Sequence, residues 1–421
     1  MMPHKIVVTV ICDGHRPDFV SDETTPNMAR LRKAGTWFAN HRGIFPSATR
    51  ASSASIATGS WPISHGLRGN TMALPVDGGH EVHDAGKPEF YDAYRKHFGR
   101  LLMRPALAER TAAQHGAVLC SNVSPGAAYF HDAGRHGELY HRELSYRAGG
   151  AALGKSVAAP PGRVGDTVMA KRFVDVLLER PPSVATLWLS DPDKTMHAFP
   201  LGSGEHLQAV READAHVGAV ATAVERLRDR GHDVLLFVGS DHGHEAVSET
   251  IPVERRLFEA GFKRELESPE LVVAPSGSSA FIHFGTDALS RRDEVAAWLA
   301  EQPWAGRIIK GEDLAELGQA PAADMLALDM AKSEGRNRNG VPGLTAYAVR
   351  FSEDEDEVHR DCGMHGGLGR FETKPTLIAV GQGFGAGCVV TRTTRIIDLA
   401  PSALKHLGLP LDQLDGMPLQ G

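Results

Sequence analysis

The chain has 421 residues, 42% hydrophobic and 23% charged, a balance that supports a buried core and excludes disordered or collagen-like classes. Its 45 Lys and Arg against 52 Asp and Glu give a net charge of −7, leaving no positive surplus to neutralise a nucleic-acid polymer or hold an anionic membrane. No apolar run approaches the ~18 to 20 residues of a membrane-spanning helix, and four cysteines (Cys12, Cys120, Cys362, Cys388) without metal-type spacing are too few for a disulfide framework.

An apolar run at 6–12 ends at Asp13-Gly14 and reads as a buried strand, because no small-residue cleavage site follows it as a secretory leader would require. These features together fit a cytoplasmic location. Thr25-Pro26 and Gly35 bracket a short helix carrying Met28 and Leu31. The segment Phe45-Pro46-Ser47-Ala48-Thr49-Arg50 then leads into a small-residue stretch, 51–58, read as a helix that ends at Gly59. Thr49 lies at its N-terminus, where unpaired N–H groups and the helix dipole favour an anion.

Amphipathic helical patterns at 166–180 and 205–230 alternate with apolar runs at 186–190 and 234–240, which end at Asp191 and Asp241. Such continuous runs suit parallel strands covered on both sides. The expected fold is therefore α/β, a mostly parallel central sheet with helices on both faces. Two stretches interrupt the alternation, 71–165, read as an inserted cap, and 263–345, read as an inserted small α+β lobe. One core would then be assembled from about 1–70, 166–262 and 346–421. The acidic run 352–357 reads as a solvated turn, and no internal repeat is present.

In sheets of this kind ligands bind beyond the carboxyl ends of the strands, where Asp13, Asp191, Asp193 and Asp241 all fall. Asp193 and His197 share one face if their segment is helical, so both could ligate one ion. Asp241-His242-Gly243-His244 follows a buried strand directly, and Cys362-Gly363-Met364-His365-Gly366-Gly367 sets a histidine among glycines. Taken singly, each of these also reads as a polar turn, and Thr49 as a helix cap.

Asp13-Gly14, Thr49 in F-P-x-x-T, Thr58-Gly59, Trp61-Pro62, His65-Gly66, Gly69-Asn70, the Asp193/His197 pair, Ser240-Asp241-His242-Gly243 and His365-Gly366 follow one another in a distinctive order. In this the chain resembles the alkaline phosphatase superfamily, in the branch of nucleotide pyrophosphatase/phosphodiesterases and phosphonoacetate hydrolases. The resemblance covers roughly 5–70, 186–250 and 360–410. It implies two divalent ions, zinc first, with manganese or iron also compatible with N and O ligands. By the same resemblance Asp193, His197 and His365 match the ligands of one ion, and Asp13, Asp241 and His242 those of the other. Thr49 matches both a fourth ligand of the second ion and the nucleophile, passing through a phospho-Thr49 intermediate.

Asn70 matches a hydrogen-bond donor to the phosphoryl group, and Arg50 is a candidate substrate contact. Sulfatases of the superfamily require Cys or Ser at the nucleophile and Arg four residues later, where this chain has Thr49 and Ser53. The relatives that cleave diesters usually place an aromatic residue after the nucleophile, a position held here by Arg50. A phosphodiester or nucleotide-type P–O bond is the first expectation. P–C hydrolysis of a phosphonoacetate-like compound, with Lys87, Lys96, Lys155 or Lys194 on the carboxylate, and phosphomonoester hydrolysis are the alternatives. The expected partner is a small phosphorus-containing substrate, with no nucleic-acid polymer and no membrane. His244 is open between an outer partner of the metals and a surface residue. His80, His83, His131, His136 and His141 are expected at the surface or in ordinary hydrogen bonds.

Overall fold

The computed structural model describes residues 2–153, 157–311, 313–352 and 359–420. Lys155 and most of the acidic run expected as a turn, 353–357, lie outside the described residues.

The central sheet is built from β1 (Lys5–Cys12), β2 (Thr36–Phe38), β3 (Ala117–Ser121), β4 (Glu138–His141), β5 (Val184–Leu189), β6 (Asp233–Gly239), β7 (Leu377–Val380) and β8 (Cys388–Val390). Their order across the sheet is β8-β2-β7-β6-β1-β5-β3-β4. Only β7 runs against the rest, pairing antiparallel with both β6 and β2. The sheet is thus mostly parallel, as its continuous apolar strands require.

Helices cover both faces: α1 (Pro26–Ala34), α2 (Thr49–Thr58), α3 (Pro125–His131), α4 (Arg163–Glu179), α5 (Asp193–Ala198), α6 (Gly204–Asp229) and α7 (Leu399–Leu407). Alternation along β1 divides the core. Ile6, Val8, Val10 and Cys12 join Met28 of α1, Phe173 of α4 and Val217, Val220 and Val224 of α6 on one side. Val7 and Ile11 join Ala51 and Ile56 of α2 and Leu399, Ala403 and Leu404 of α7 on the other.

The stretch 71–165 corrects the expectation of an inserted cap. A hairpin (Thr71–Val76 with Gly79–Asp84) and a helix (Pro88–Phe98) do stand outside the sheet, but β3 and β4 extend it, β3 pairing in parallel with β5. Alternation was masked because these strands are short and lie among Gly, His and Arg. Residues 271–330 form a four-stranded antiparallel sheet, Leu271–Pro275, Ser279–Phe284, Met325–Met330 and Ala305–Lys310, with the helix Arg292–Ala300 packed on it through Val295 and Leu299. A further sheet joins Lys332–Arg336, Pro342–Val349, Glu245–Pro252 and Gly363–Met364. Among the described residues no helix is long and apolar enough to cross a membrane.

Candidate metal centre and active site

Three neighbouring parallel strands deliver the first ligands to one edge. β1 lies between β5 and β6 with Cys12 level with Leu189 and Ile11 level with Gly239, so the residues leaving all three strands emerge side by side. Asp13 follows β1, Asp193 opens α5 just beyond β5, and Asp241 and His242 follow β6. α5 spans both Asp193 and His197 and sets His197 Nε2 3.2 Å from Asp193 Oδ1. His365 comes from a separate segment, just after Gly363–Met364, which pairs with the strand that follows His244.

Thr49 is the first residue of α2, and Ala48 rather than Thr49 occupies the capping position. The hydroxyl is thereby freed from capping, and Thr49 Oγ1 stands 3.1 Å from His242 Nε2. That nitrogen is 3.4 Å from Asp13 Oδ1 and 3.2 Å from Asp241 Oδ2. The ligand atoms of Asp13, Asp241 and His242 all lie within 4.8 Å of one another, as do those of a second group, Asp193, His242, His244 and His365.

Each member is held from behind. Trp188 Nε1 donates to Asp13 Oδ2 at 3.1 Å, and the Gly14 N–H donates to Asp241 Oδ1 at 3.2 Å. His242 Nδ1 meets the Gly243 carbonyl at 3.1 Å and His365 Nδ1 the Ser47 carbonyl at 2.6 Å. A carbonyl only accepts, so both rings carry their proton on Nδ1 and turn the Nε2 lone pair inward. Gly366, at φ +119°, allows this turn, because a Cβ there would come within 1.5 Å of the Ser276 carbonyl oxygen.

The electrostatics call for cations. Asp13 Oδ1, Asp193 Oδ1 and Asp241 Oδ2 are buried and make no hydrogen bond. Burial, reinforced by Asp241 and Asp193, holds Asp13 well above the usual carboxylate range. Burial likewise pushes Asp241 up to about 7, with Asp193 adding to the effect. Burial also opposes charge on Asp193, but His197 and His244 beside it win and hold it well below the ordinary value. Burial lowers His242 to about 3, keeping the imidazole neutral as a ligand must be. Clustered carboxylates and neutral imidazoles with inward lone pairs fit a pair of divalent ions.

Residues 7–312 match the model of the type I phosphodiesterase / nucleotide pyrophosphatase family. The chain belongs to that family. Venom phosphodiesterase of Macrovipera lebetinus is 23% identical over 241 residues, which is 56% of this chain and 25% of that protein. This chain therefore spans about a quarter of the length of the curated relatives it matches. Murine ectonucleotide pyrophosphatase / phosphodiesterase 5, solved with AMP, has the same fold, with a TM-score of 0.69 at 19% identity, over 98% of this chain and 97% of that one. Phosphonoacetate hydrolase from Sinorhizobium meliloti 1021, solved with phosphonoformate, gives a TM-score of 0.68 at 18% identity, covering 96% of each chain.

In this phosphodiesterase-family chain two cavities meet at the ligand cluster. One, of about 450 Å³, is lined by Thr49, Arg50, Asn70, Asn122, Arg142 and Lys194. The other, of about 460 Å³, is lined by Thr71, Pro275, Tyr347 and Arg350, and the two share Asn70, His197 and His365. Asn70 Oδ1 accepts the Arg50 N–H at 3.1 Å, which leaves its NH2 as the donor on the cavity wall. The Arg50 guanidinium is tied back, donating to the Asn70 carbonyl at 2.5 Å and pairing with Asp84. Of the lysines weighed for a substrate carboxylate, Lys194 reaches this wall, Lys87 borders an adjoining cavity, and Lys96 is exposed on the helix Pro88–Phe98.

Sequence reasoning missed the supports behind the ligands. Asp166 of α4 accepts from the Ser190 N–H, the Asp191 N–H and Asn122 Nδ2 at 2.9 to 3.0 Å, fixing the loop that presents Asp193. Glu372 accepts from the Gly367 and Gly369 N–H groups at 2.8 Å and from Ser47 Oγ at 3.3 Å, with Lys332 beside it at 3.3 Å, so one carboxylate ties the His365 turn to the segment before Thr49. Neither has a local signature, since each acts on residues far away in the chain. His131 and His141, expected at the surface or in ordinary hydrogen bonds, are buried against Ser53 Oγ at 3.3 Å and the Val123 carbonyl at 3.0 Å.

Proposed function

We propose that this chain is a two-metal phosphohydrolase that cleaves a P–O bond of phosphodiester or nucleotide-type substrates, with Thr49 as nucleophile. The observation that carries the reading is the Thr49 hydroxyl at the start of α2, 3.1 Å from His242 Nε2 and beside the Asp13, Asp241, His242 group. Asp13, Asp241, His242 and Thr49 would hold one ion, and Asp193, His197 and His365 the other, with zinc the best match to this N and O donor set and manganese or iron also compatible. When bound, such ions supply Lewis acidity that promotes loss of the hydroxyl proton and offsets charge on the phosphoryl oxygens.

The protein's own part begins with positioning. Thr49 Oγ forms a bond to phosphorus as the bond to the leaving oxygen breaks. The Thr49 proton passes to solvent, and the departing alkoxide takes up a proton there. Asn70 donates from its NH2 to an equatorial oxygen, where charge grows. Water then attacks the phosphorus of phospho-Thr49 and breaks its bond to Thr49 Oγ; the threonine oxygen takes up a proton from that water, and the phosphate leaves still carrying its retained substituent. A diester carries two substituents on phosphorus, and the two cavities meeting at Asn70 offer a place for each.

A second reading is P–C hydrolysis of a phosphonate with a second anionic group, favoured by Lys194 and Arg142 on the wall of the first cavity. Supplying bis-p-nitrophenyl phosphate, a nucleoside triphosphate and phosphonoacetate to one zinc-loaded preparation separates them. Turnover of the first two above the third is expected, and turnover of phosphonoacetate alone would replace the diester reading with the second. The net charge of −7 and a cavity of about 450 Å³ support a small phosphorus-containing substrate as the partner, in preference to a nucleic-acid polymer or a membrane. Four free cysteines fit a reducing compartment, the cytoplasm.

A further inference from the structure

We infer that His244 is a direct protein ligand of the ion held by Asp193, His197 and His365, so that this position is a three-histidine, one-aspartate site. The inference rests on the two-metal reading above and adds a residue that the family resemblance does not supply.

Local chain geometry brings His244 to the site. It lies two residues beyond His242 in the extended chain that enters Glu245–Pro252, so both imidazoles project to one side, with ring centroids 5.4 Å apart. The antiparallel pairing of that strand with Gly363–Met364 sets Ala246 opposite Gly363 and Glu245 opposite Met364. The next pair along is His244 and His365, whose rings meet edge to face at 5.0 Å. His244 is therefore placed against a ligand by register.

Its protonation pattern is that of His242 and His365. His244 Nδ1 meets the Gly14 carbonyl at 3.1 Å and so carries the proton. The Nε2 lone pair points inward, 2.9 Å from Asp193 Oδ1, and is fully buried without a hydrogen bond. A lone pair facing a carboxylate oxygen in a dry interior is repulsive unless a positive centre lies between or beside them. Gly14, at φ +69°, leaves the needed room, since a Cβ there would lie 2.2 Å from His244 Cε1.

Three imidazoles make this site nitrogen-rich, whereas Asp13, Asp241 and Thr49 make the neighbouring one oxygen-rich. Imidazole favours zinc and carboxylate favours harder ions, so the two sites should load in sequence, the Asp193 site first. The test uses the full chain, stripped and reloaded with one equivalent of zinc. X-ray absorption should count three imidazoles on the metal, and competition with a chromophoric chelator should show two separable affinities. In His244→Gln the count should drop to two, and the tighter affinity should fall by at least about 10-fold.

A count of two in the wild-type protein overturns the inference, as does an unchanged count and affinity in His244→Gln. The wild-type measurement stands by itself if the variant does not fold. A chain that binds no zinc at all overturns the two-metal reading instead, so the two failures are distinct.

Discussion

Thr49 shows how one side chain is prepared for attack. Its hydroxyl is released from capping by Ala48 and directed at His242, an oxygen that alanine in its place would lack. Thr49→Ala should therefore lower kcat by at least about 1000-fold and abolish covalent phosphorylation, while circular dichroism is unchanged. Wild-type rates in that variant would remove Thr49 from the reaction. His65 illustrates a residue of the shared sequence pattern that serves the fold. It is fully buried, accepts the Leu67 N–H on Nδ1 at 3.2 Å and meets Ser55 Oγ through Nε2 at 2.9 Å, and burial lowers its pKa to about 3. The unfolded chain takes up this proton near pH 6.5 and the folded chain resists until about 3, so stability falls as pH drops through that window. The slope from such a group is at most about 1.4 kcal/mol per pH unit. His65→Gln, followed by urea midpoints between pH 7 and pH 4, should show a shallower loss than wild type.

At the scale of elements, the centre depends on helices seated firmly behind the strands. α4 carries Asp166, which grips the Ser190 and Asp191 N–H groups, and Phe173 seats that helix in the core it shares with β1, β5 and α6. Phe173→Ala opens a cavity in this packing and should cost about 3 to 5 kcal/mol, read as a lower urea midpoint. An unchanged midpoint would mean that α4 is anchored elsewhere. The long apolar runs and the helices at 163–179 and 204–229 were legible in the sequence because their periodicity is set by burial on one or both sides. Strands β3 and β4 were not, because an interior strand of five residues and an edge strand of four carry too few positions for a pattern, and their place is decided by pairing with β5 and with each other.

For the whole molecule, two groups of buried carboxylates and imidazoles facing one another without cations are a source of strain that binding relieves. Stripping the metals with a chelator should lower the melting temperature, and zinc should restore it, since each ion present at 100 times its Kd adds about 2.7 kcal/mol. A melting curve indifferent to both treatments would mean that no cation is bound. The sequence alone determined the class of sheet, because continuous apolar strands alternate with amphipathic helices, and its resemblance to a known family singled out Asp13, Asp193, His197, Asp241, His242 and His365; the structure brings Asp13, Asp241 and His242 into one group, Asp193 and His365 into another with His242 and His244, and His197 beside Asp193. Only the tertiary structure decided that His244 faces His365, that Arg50 is bound back by Asp84, and that Glu372 joins the His365 turn to the segment before Thr49. Each of these depends on registers and packing between segments distant in the chain, which no local pattern of residues encodes.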